Sequence, residues 1–267
     1  ARCRSMTEKP FGVNLTILPS IKPVPYEAYL DAIIDSGVKI LETAGNSPKA
    51  FMPKVKAAGI TVVHKCTSVR HALSAEKVGV DIVSIDGFEC AGHPGEDDTP
   101  GLILIPAAVR VLKIPVIASG GLADGRGMAA ALALGAQGIN MGTRFLCTQE
   151  APVHPNIKEY IARGSERDTV LIYRKFKNTE RVFRNTISEQ VVEIEQRPGT
   201  VFEDIRELVA GQRGRKGLQS GDVNAGLICA GMAAGLIDDI PTCAEVIERI
   251  VAECRAQLRA AVAQAAG

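Results

Sequence analysis

The stretch Ile114–Leu146, IPVIASGGLADGRGMAAALALGAQGINMGTRFL, reads as strand, glycine turn, helix, strand, glycine turn. Ile114–Ala118 is a short apolar run with β-branched residues, stopped by Ser119-Gly120-Gly121. Met128–Leu134 is rich in alanine and leucine, the composition of a helix packed closely on a sheet, and Gly135 supplies its C-cap. Gly138–Met141 is a second buried strand that ends at Gly142-Thr143. Both strands present bare backbone N–H groups at the same end of a parallel sheet. The loops after the last two strands of a (β/α)8 barrel hold a phosphate in this way. The paired turns are therefore read as a phosphate site, with tight turns lacking a ligand as the alternative.

The same rhythm extends toward the N-terminus. Phe11–Thr16, Val38–Thr43, Ile60–Lys65 and Val80–Ile85 read as strands. Tyr26–Ser36, the segment from Asn46 to Ala58, Ser68–Lys77 and Leu102–Leu112 read as helices, with glycine stops at Gly37, Gly59 and Gly79. Pro19–Pro25 is a proline-rich loop, too long for a minimal connection and so a candidate site element. Six strands alternating with helices predict a parallel sheet covered on both faces.

After Thr148 the pattern changes. Pro152–Gly217 is charged and reads as a helical lid, Gly221–Gly235 is glycine-rich, and Ala244–Ala265 is a long amphipathic helix closing the barrel from outside. This divides the chain into a barrel over 1–151, a helical lid domain over 152–218 and a return to the barrel over 219–267. The Arg/Lys-rich stretches Arg174–Lys177 and Arg213–Lys216 are interspersed with acidic residues and few aromatics. They read as a solvated face rather than a nucleic-acid patch.

The chain has 267 residues, 46% hydrophobic, and a net charge of +1. That allows one large core and gives no reason to expect nucleic acid or an anionic membrane as partner. No apolar run is long enough to span a bilayer, because Gly101–Leu122 is broken by Arg110, Lys113 and two prolines. Seven scattered cysteines without a C-x-x-C pair argue against a disulfide framework or a zinc site and for a reducing cytoplasm. The opening Ala1-Arg2-Cys3-Arg4 reads as the tail of a helix, so an N-terminally incomplete chain is expected.

In a barrel the chemistry sits at the C-terminal ends of the strands. Those ends carry Asn14 and Thr16, Glu42–Asn46, His64-Lys65, Asp86, Ser119-Gly120-Gly121 and Gly142-Thr143. Alternation puts Lys65 on the face of Val63 and His64 on that of Val62. An inward Lys65 needs an anion or an electron-rich acceptor, unless it snorkels to solvent. Asp86 is a ligand contact or a cap for the next turn. In Phe88–Asp98, small residues and Pro94 hold His93 on a defined backbone with carboxylates nearby, which suits general-base or hydrogen-bonding work. His71 and His154 read as structural, and Cys90 lacks the basic partner that a nucleophile needs.

HKC at 64–66, SIDGFECAGHPGEDD at 84–98, ASGGLADGRG at 118–127 and NMGTRFL at 140–146 together resemble the nitronate monooxygenase (2-nitropropane dioxygenase) family of FMN-dependent barrels. PFGVNLTILPSIKPVPYEAY resembles the family's NADH:quinone reductase branch. The resemblance implies an α/β fold, a TIM (β/α)8-type barrel lacking its first two strands here, with a small helical lid domain inserted after the last strand. It implies that Ser119, Gly120, Gly121, Gly142 and Thr143 hold the FMN phosphate. Thr16, Lys65 and Asp86 would contact the rest of the flavin, and His93 would face the substrate. The implied reaction is oxidation of nitronates or nitroalkanes with O2 to a carbonyl compound and nitrite. NAD(P)H:quinone reduction and a non-catalytic fragment are the alternatives. The expected protein is a cytoplasmic monomer or homodimer, with no bound metal, membrane or nucleic acid.

Overall fold

A computed structural model describes residues 2–18 and 23–266. A short helix α1 (Arg2–Met6) precedes the first unit, β1 (Gly12–Ile17) and α2 (Tyr26–Asp35). Then come β2 (Ile40–Gly45), α3 (Met52–Ala57), β3 (Thr61–Cys66), α4 (Val69–Lys77) and β4 (Ile82–Asp86). α5 (Gly101–Val111), β5 (Val116–Ser119), α6 (Gly125–Ala133) and β6 (Gly138–Asn140) complete the series. All six strands pair in parallel in the order β1-β2-β3-β4-β5-β6. The predicted βαβ succession is present, with strand ends shifted by a residue or two.

Period-2 alternation sorts the strand residues into two faces. Leu41, Val62, Val83, Ile85, Val116 and Ala118 point toward the helices and are buried with Leu30, Val55, Ala72 and Leu104 in one core cluster. The register aligns Asn14 with Glu42, Lys65 with Ser84, and Asp86 with Ser119 on the opposite face. That concave face is polar. Glu42 accepts a hydrogen bond from Asn14 Nδ2 at 2.8 Å and another from Asn140 Nδ2 at 3.4 Å. A side chain on β2 that reaches one on β6 requires the sheet to curl, which gives the barrel-like form.

Local chemistry sets the helix starts. Asp124 caps α6 by accepting from Gly127 N at 2.8 Å, so this helix begins three residues before the predicted Met128. Ser68 caps α4 through His71 N. The predicted helix before Gly59 is split. A 3-10 turn over Pro48–Ala50 precedes α3 because Pro53 fits only a first helical turn.

Beyond β6 come α7 (Thr143–Leu146), α8 (Pro155–Ala162), β7 (Thr169–Ile172), β8 (Glu180–Phe183), α9 (Thr186–Glu195), α10 (Gly211–Ser220) and α11 (Cys243–Ala266). The expectation of an all-helical 152–218 is therefore wrong: β7 and β8 form an antiparallel hairpin. TVLI and ERVF carry β-branched residues suited to strands, but they are short and flanked by charges that mask the alternation. Nor is this segment's core self-contained. Ile157, Ile161 and Phe183 are buried with Ala123, Cys147, Ile228 and Ala230 in one cluster, while Ile172, Val182, Val191 and Ile205 form a second. α11 packs along α6 through Val246, Ile250 and Cys254, as its amphipathic pattern predicts. No helix among the described residues is long and apolar enough to cross a membrane, and the seven cysteines are free thiols.

Candidate active site

Lys65 lies on the concave face and His64 on the helix-packed one, as the alternation predicts. His64 is buried, with Nδ1 2.8 Å from Thr43 Oγ1, and burial lowers its pKa to about 4. Lys65 Nζ stands 3.1 Å from Asp86 Oδ1, so the anion that an inward lysine needs is Asp86. Burial pushes the Asp86 carboxyl up, against the opposing pull of Lys65 and a Ser119 hydrogen bond. The Lys65–Asp86 contact is an ion pair without hydrogen-bond alignment. Asp86 Oδ1 and Ser84 Oγ are buried polar atoms without a hydrogen-bond partner, both on the concave face.

The connection Gly87–Pro100 is gripped from two sides. Glu89 accepts from Gly101 N at 3.0 Å, at the start of α5. Gly92 and Arg181 of β8 exchange backbone hydrogen bonds of 3.0 and 2.6 Å. The Arg181 guanidinium lies 4.5 Å from the Phe88 ring centroid and donates to Phe88 O and to Thr169 Oγ1. Glu96 accepts from Thr179 N and Oγ1 at 2.8 and 2.6 Å, and Asp98 pairs with Arg174 through both oxygens. Glu96 and Asp98 thus dock the hairpin rather than serve His93. Cys90 is buried and its thiol is pushed up to about 12, chiefly by burial, which makes it inert.

A cavity of about 630 Å³ opens beside this loop, lined by Thr16, Lys65, Asp86 and His93. These four predicted residues, from β1, β3, β4 and the Gly87–Pro100 connection, share one space. Sequence reasoning missed three of its contributors. His71, read as structural, lines it with Arg70 from the start of α4, and Lys177 reaches it from the hairpin turn. The helical placement of Arg70 and His71 at the end of β3 was the available signal, whereas Lys177 belongs to the basic stretch Arg174–Lys177, which by sequence reads as a solvated face. Of the Pro19–Pro25 loop, residues 19–22 lie outside the described residues. His154 caps α8, accepting from Asn156 N through Nδ1, and is structural as predicted.

Ser119, Gly120, Gly121, Gly142 and Thr143 do not line this cavity. Gly120 has φ +86°, and a Cβ there would stand 2.8 Å from Gly87 O and 3.0 Å from Gly87 N. Packing against the β4 connection therefore already demands glycine at 120. Thr143 Oγ1 accepts from Gly231 N at 3.0 Å, which leaves its O–H as a donor. Around Gly142 the backbone is open, with no atom within 4 Å of a Cβ position. The fit to a flavin is favourable on two counts: the Ser84 hydroxyl, buried without a hydrogen-bond partner beside Lys65 on the concave face, and free space at the end of β6.

The model of the family described as nitronate monooxygenase matches residues 1–253. The chain belongs to the nitronate monooxygenase family. A (3aS,4S,5R,7aS)-5-hydroxy-7a-methyl-1-oxo-octahydro-1H-indene-4-carboxyl-CoA dehydrogenase from Rhodococcus jostii is 32% identical over 94% of this chain and 80% of its own length. A probable nitronate monooxygenase from Staphylococcus aureus is 36% identical over 55% of this chain and 44% of its own. Among solved structures, FabK from Thermotoga maritima superposes with a TM-score of 0.91 at 33% identity, covering 98% of this chain and 81% of that one. A nitroalkane oxidase from Streptomyces ansochromogenes shares the fold, with a TM-score of 0.82 at 23% identity over 98% and 84% of the two chains. The protein is a flavin oxidoreductase.

Proposed function

We propose that this enzyme binds FMN and oxidises alkyl nitronates, or the parent nitroalkanes, with O2 to carbonyl compounds and nitrite. The observation that carries this reading is the convergence of Lys65, Asp86 and His93 on one cavity, with Lys65 and Asp86 paired across β3 and β4. When bound, FMN supplies the two-electron redox chemistry. Ser119, Gly120, Gly121, Gly142 and Thr143 would hold its phosphate, and Thr16, Lys65 and Asp86 the rest of the group. His93, fixed by the Gly92–Arg181 bridge, takes the α-proton of a neutral nitroalkane or holds a nitronate in place. Residues 152–218 serve as the cover of the barrel formed by 1–151, to which 219–267 return.

A second reading is dehydrogenation next to the carbonyl of a coenzyme A thioester. It is favoured by the near full-length similarity to a carboxyl-CoA dehydrogenase. Such a substrate is also a carbon acid, so His93 keeps its role. Anaerobic mixing of the FMN-loaded enzyme with a nitronate, an acyl-CoA and NADH, each alone, tests the choice. Bleaching of the flavin absorbance by the nitronate is expected. Bleaching by the acyl-CoA alone would select the second reading, and bleaching by NADH alone would select quinone reduction.

A further inference from the structure

The concave face carries one carboxylate that the chemistry above does not use. Glu42 is half-buried on β2, inside a parallel barrel, where branched apolar side chains are the rule. A residue that breaks such a rule marks a place where something other than packing is served. Burial is the main cause of the raised Asp86 carboxyl, and the charge of Glu42 adds a smaller push in the same direction. The two acids therefore lie within electrostatic reach of each other.

Glu42 ends a relay of side chains that begins at the cavity. Thr16, which lines the cavity, donates its hydroxyl hydrogen to Asn14 Oδ1 at 2.7 Å. Asn14 Nδ2 donates to Glu42 Oε1 at 2.8 Å, and Asn140 Nδ2 on β6 donates to Oε2 at 3.4 Å. An asparagine amide turned by a half-rotation exchanges donor for acceptor at both ends. A carboxylate only accepts, so the end of Asn14 that faces Glu42 must be the nitrogen. That choice turns the Asn14 oxygen to Thr16 and commits the threonine hydrogen to it. Thr16 Oγ1 then has only lone pairs to offer the cavity.

We infer that Glu42 is a positioning residue: it sets the hydrogen-bond polarity of Asn14 and Thr16, so that Thr16 is an acceptor at the cavity and selects a ligand group bearing an N–H. The inference rests on the reading of this cavity as the seat of FMN. The oxidised flavin ring has one such group, the imide N–H of its pyrimidine. The ribityl hydroxyls serve as donor or acceptor and need no partner of preset polarity, whereas the imide nitrogen can only donate. A ligand carbonyl at the same spot would meet lone pairs and leave two acceptors unpaired.

Titration of the flavin-free full-length protein with FMN and with 3-methyl-FMN, followed by quenching of flavin fluorescence, tests this without turnover. Methylation removes the imide N–H, so the parent protein should bind 3-methyl-FMN about tenfold or more weakly than FMN. Thr16→Val removes the acceptor and Glu42→Leu frees Asn14 to turn, and each should shrink that preference several-fold. Glu42→Gln should keep most of it, because its amide oxygen can still accept from Asn14, the shorter of the two contacts. An unchanged preference in Thr16→Val or Glu42→Leu overturns the inference, and so does its loss in Glu42→Gln. Neutron diffraction of the deuterated parent protein needs neither a variant nor FMN. It should place a deuteron of Thr16 toward Asn14 and the Asn14 amide deuterons on the end facing Glu42, and the reversed amide overturns the relay. Failure of FMN to bind the parent protein would overturn the preceding reading, while the deuteron positions would still decide the polarity.

Discussion

Replacing Arg181 by Met should detach the His93 connection from the hairpin while leaving the barrel intact. Arg181 is 4% exposed and has no carboxylate partner among the described residues. Its guanidinium is held by Phe88 O at 3.0 and 3.3 Å, Thr169 Oγ1 at 2.9 Å and the Phe88 ring. Hydrogen bonds from a charged donor contribute about 1.5–3 kcal/mol each, and a desolvated cation–π contact about 2. Counting the two bonds to one carbonyl as a single interaction gives roughly 6 kcal/mol in favour of the arginine. Burial of the cation, which lowers its pKa, costs several kcal/mol, and methionine avoids that cost while filling the stem. The net loss is roughly 2–3 kcal/mol. It falls on the contact with loop 87–98, so the protection of the Gly92 amide against hydrogen exchange should drop about 30- to 150-fold. Amides of β2 and β3 should keep theirs. Unchanged Gly92 protection in a folded variant would refute the claim that Arg181 anchors the loop.

Gly120→Ala places a Cβ 2.8 Å from Gly87 O at a positive φ, and should lower stability by roughly 1–3 kcal/mol and disturb the start of the His93 connection. A variant melting at the parental temperature would show that the close approach is not required. His64, with its folded pKa of about 4 below the ordinary 6.5, is held neutral by burial. The unfolded chain therefore takes up the proton first, and stability present above pH 6.5 is lost as pH falls toward 4, by an amount on the order of 3 kcal/mol. His64→Gln should flatten that part of the urea-midpoint profile, and an identical slope in both proteins would assign the loss elsewhere. His93→Asn should cut turnover of a neutral nitroalkane roughly 10²- to 10⁴-fold, while a pre-formed nitronate, which has no α-proton to lose, is affected far less. Equal losses on both substrates in steady-state assays would make His93 a positioning residue.

The sheet was legible because its signals are local. Each strand of the parallel series is a short apolar run closed by glycine or a polar turn, and each helix carries its own stop, so rhythm alone sufficed for six strands in order. Alternation correctly put Lys65 and His64 on opposite faces of β3. What alternation could not supply was the partner: Asp86 meets Lys65 because neighbouring parallel strands are in register, a relation spread over twenty residues of sequence. The hairpin escaped because TVLI and ERVF bury their apolar residues against α9 and Ile205, a surface that exists only after folding. Lys177 escaped for the same reason, since its place at the cavity follows from the hairpin's docking.

The acidic run GEDD shows how proximity in sequence misleads about chemistry. Glu96 and Asp98 lie within five residues of His93, and a carboxylate that close invites a catalytic assignment. Their oxygens instead face Thr179 and Arg174, more than seventy residues downstream. Together with the Gly92–Arg181 bridge, they make the His93 connection a strap tied at both margins to β8 and its turn. The barrel supplies Lys65 and Asp86 from its own strands, but His93 acquires a defined place only when residues 174–181 are seated on it. Lys177 and Thr179 line the same cavity as His93, so that wall and the place of His93 are set by the same docking event. A ligand held between them would favour the docked hairpin, and by the same linkage the docked hairpin would favour that ligand.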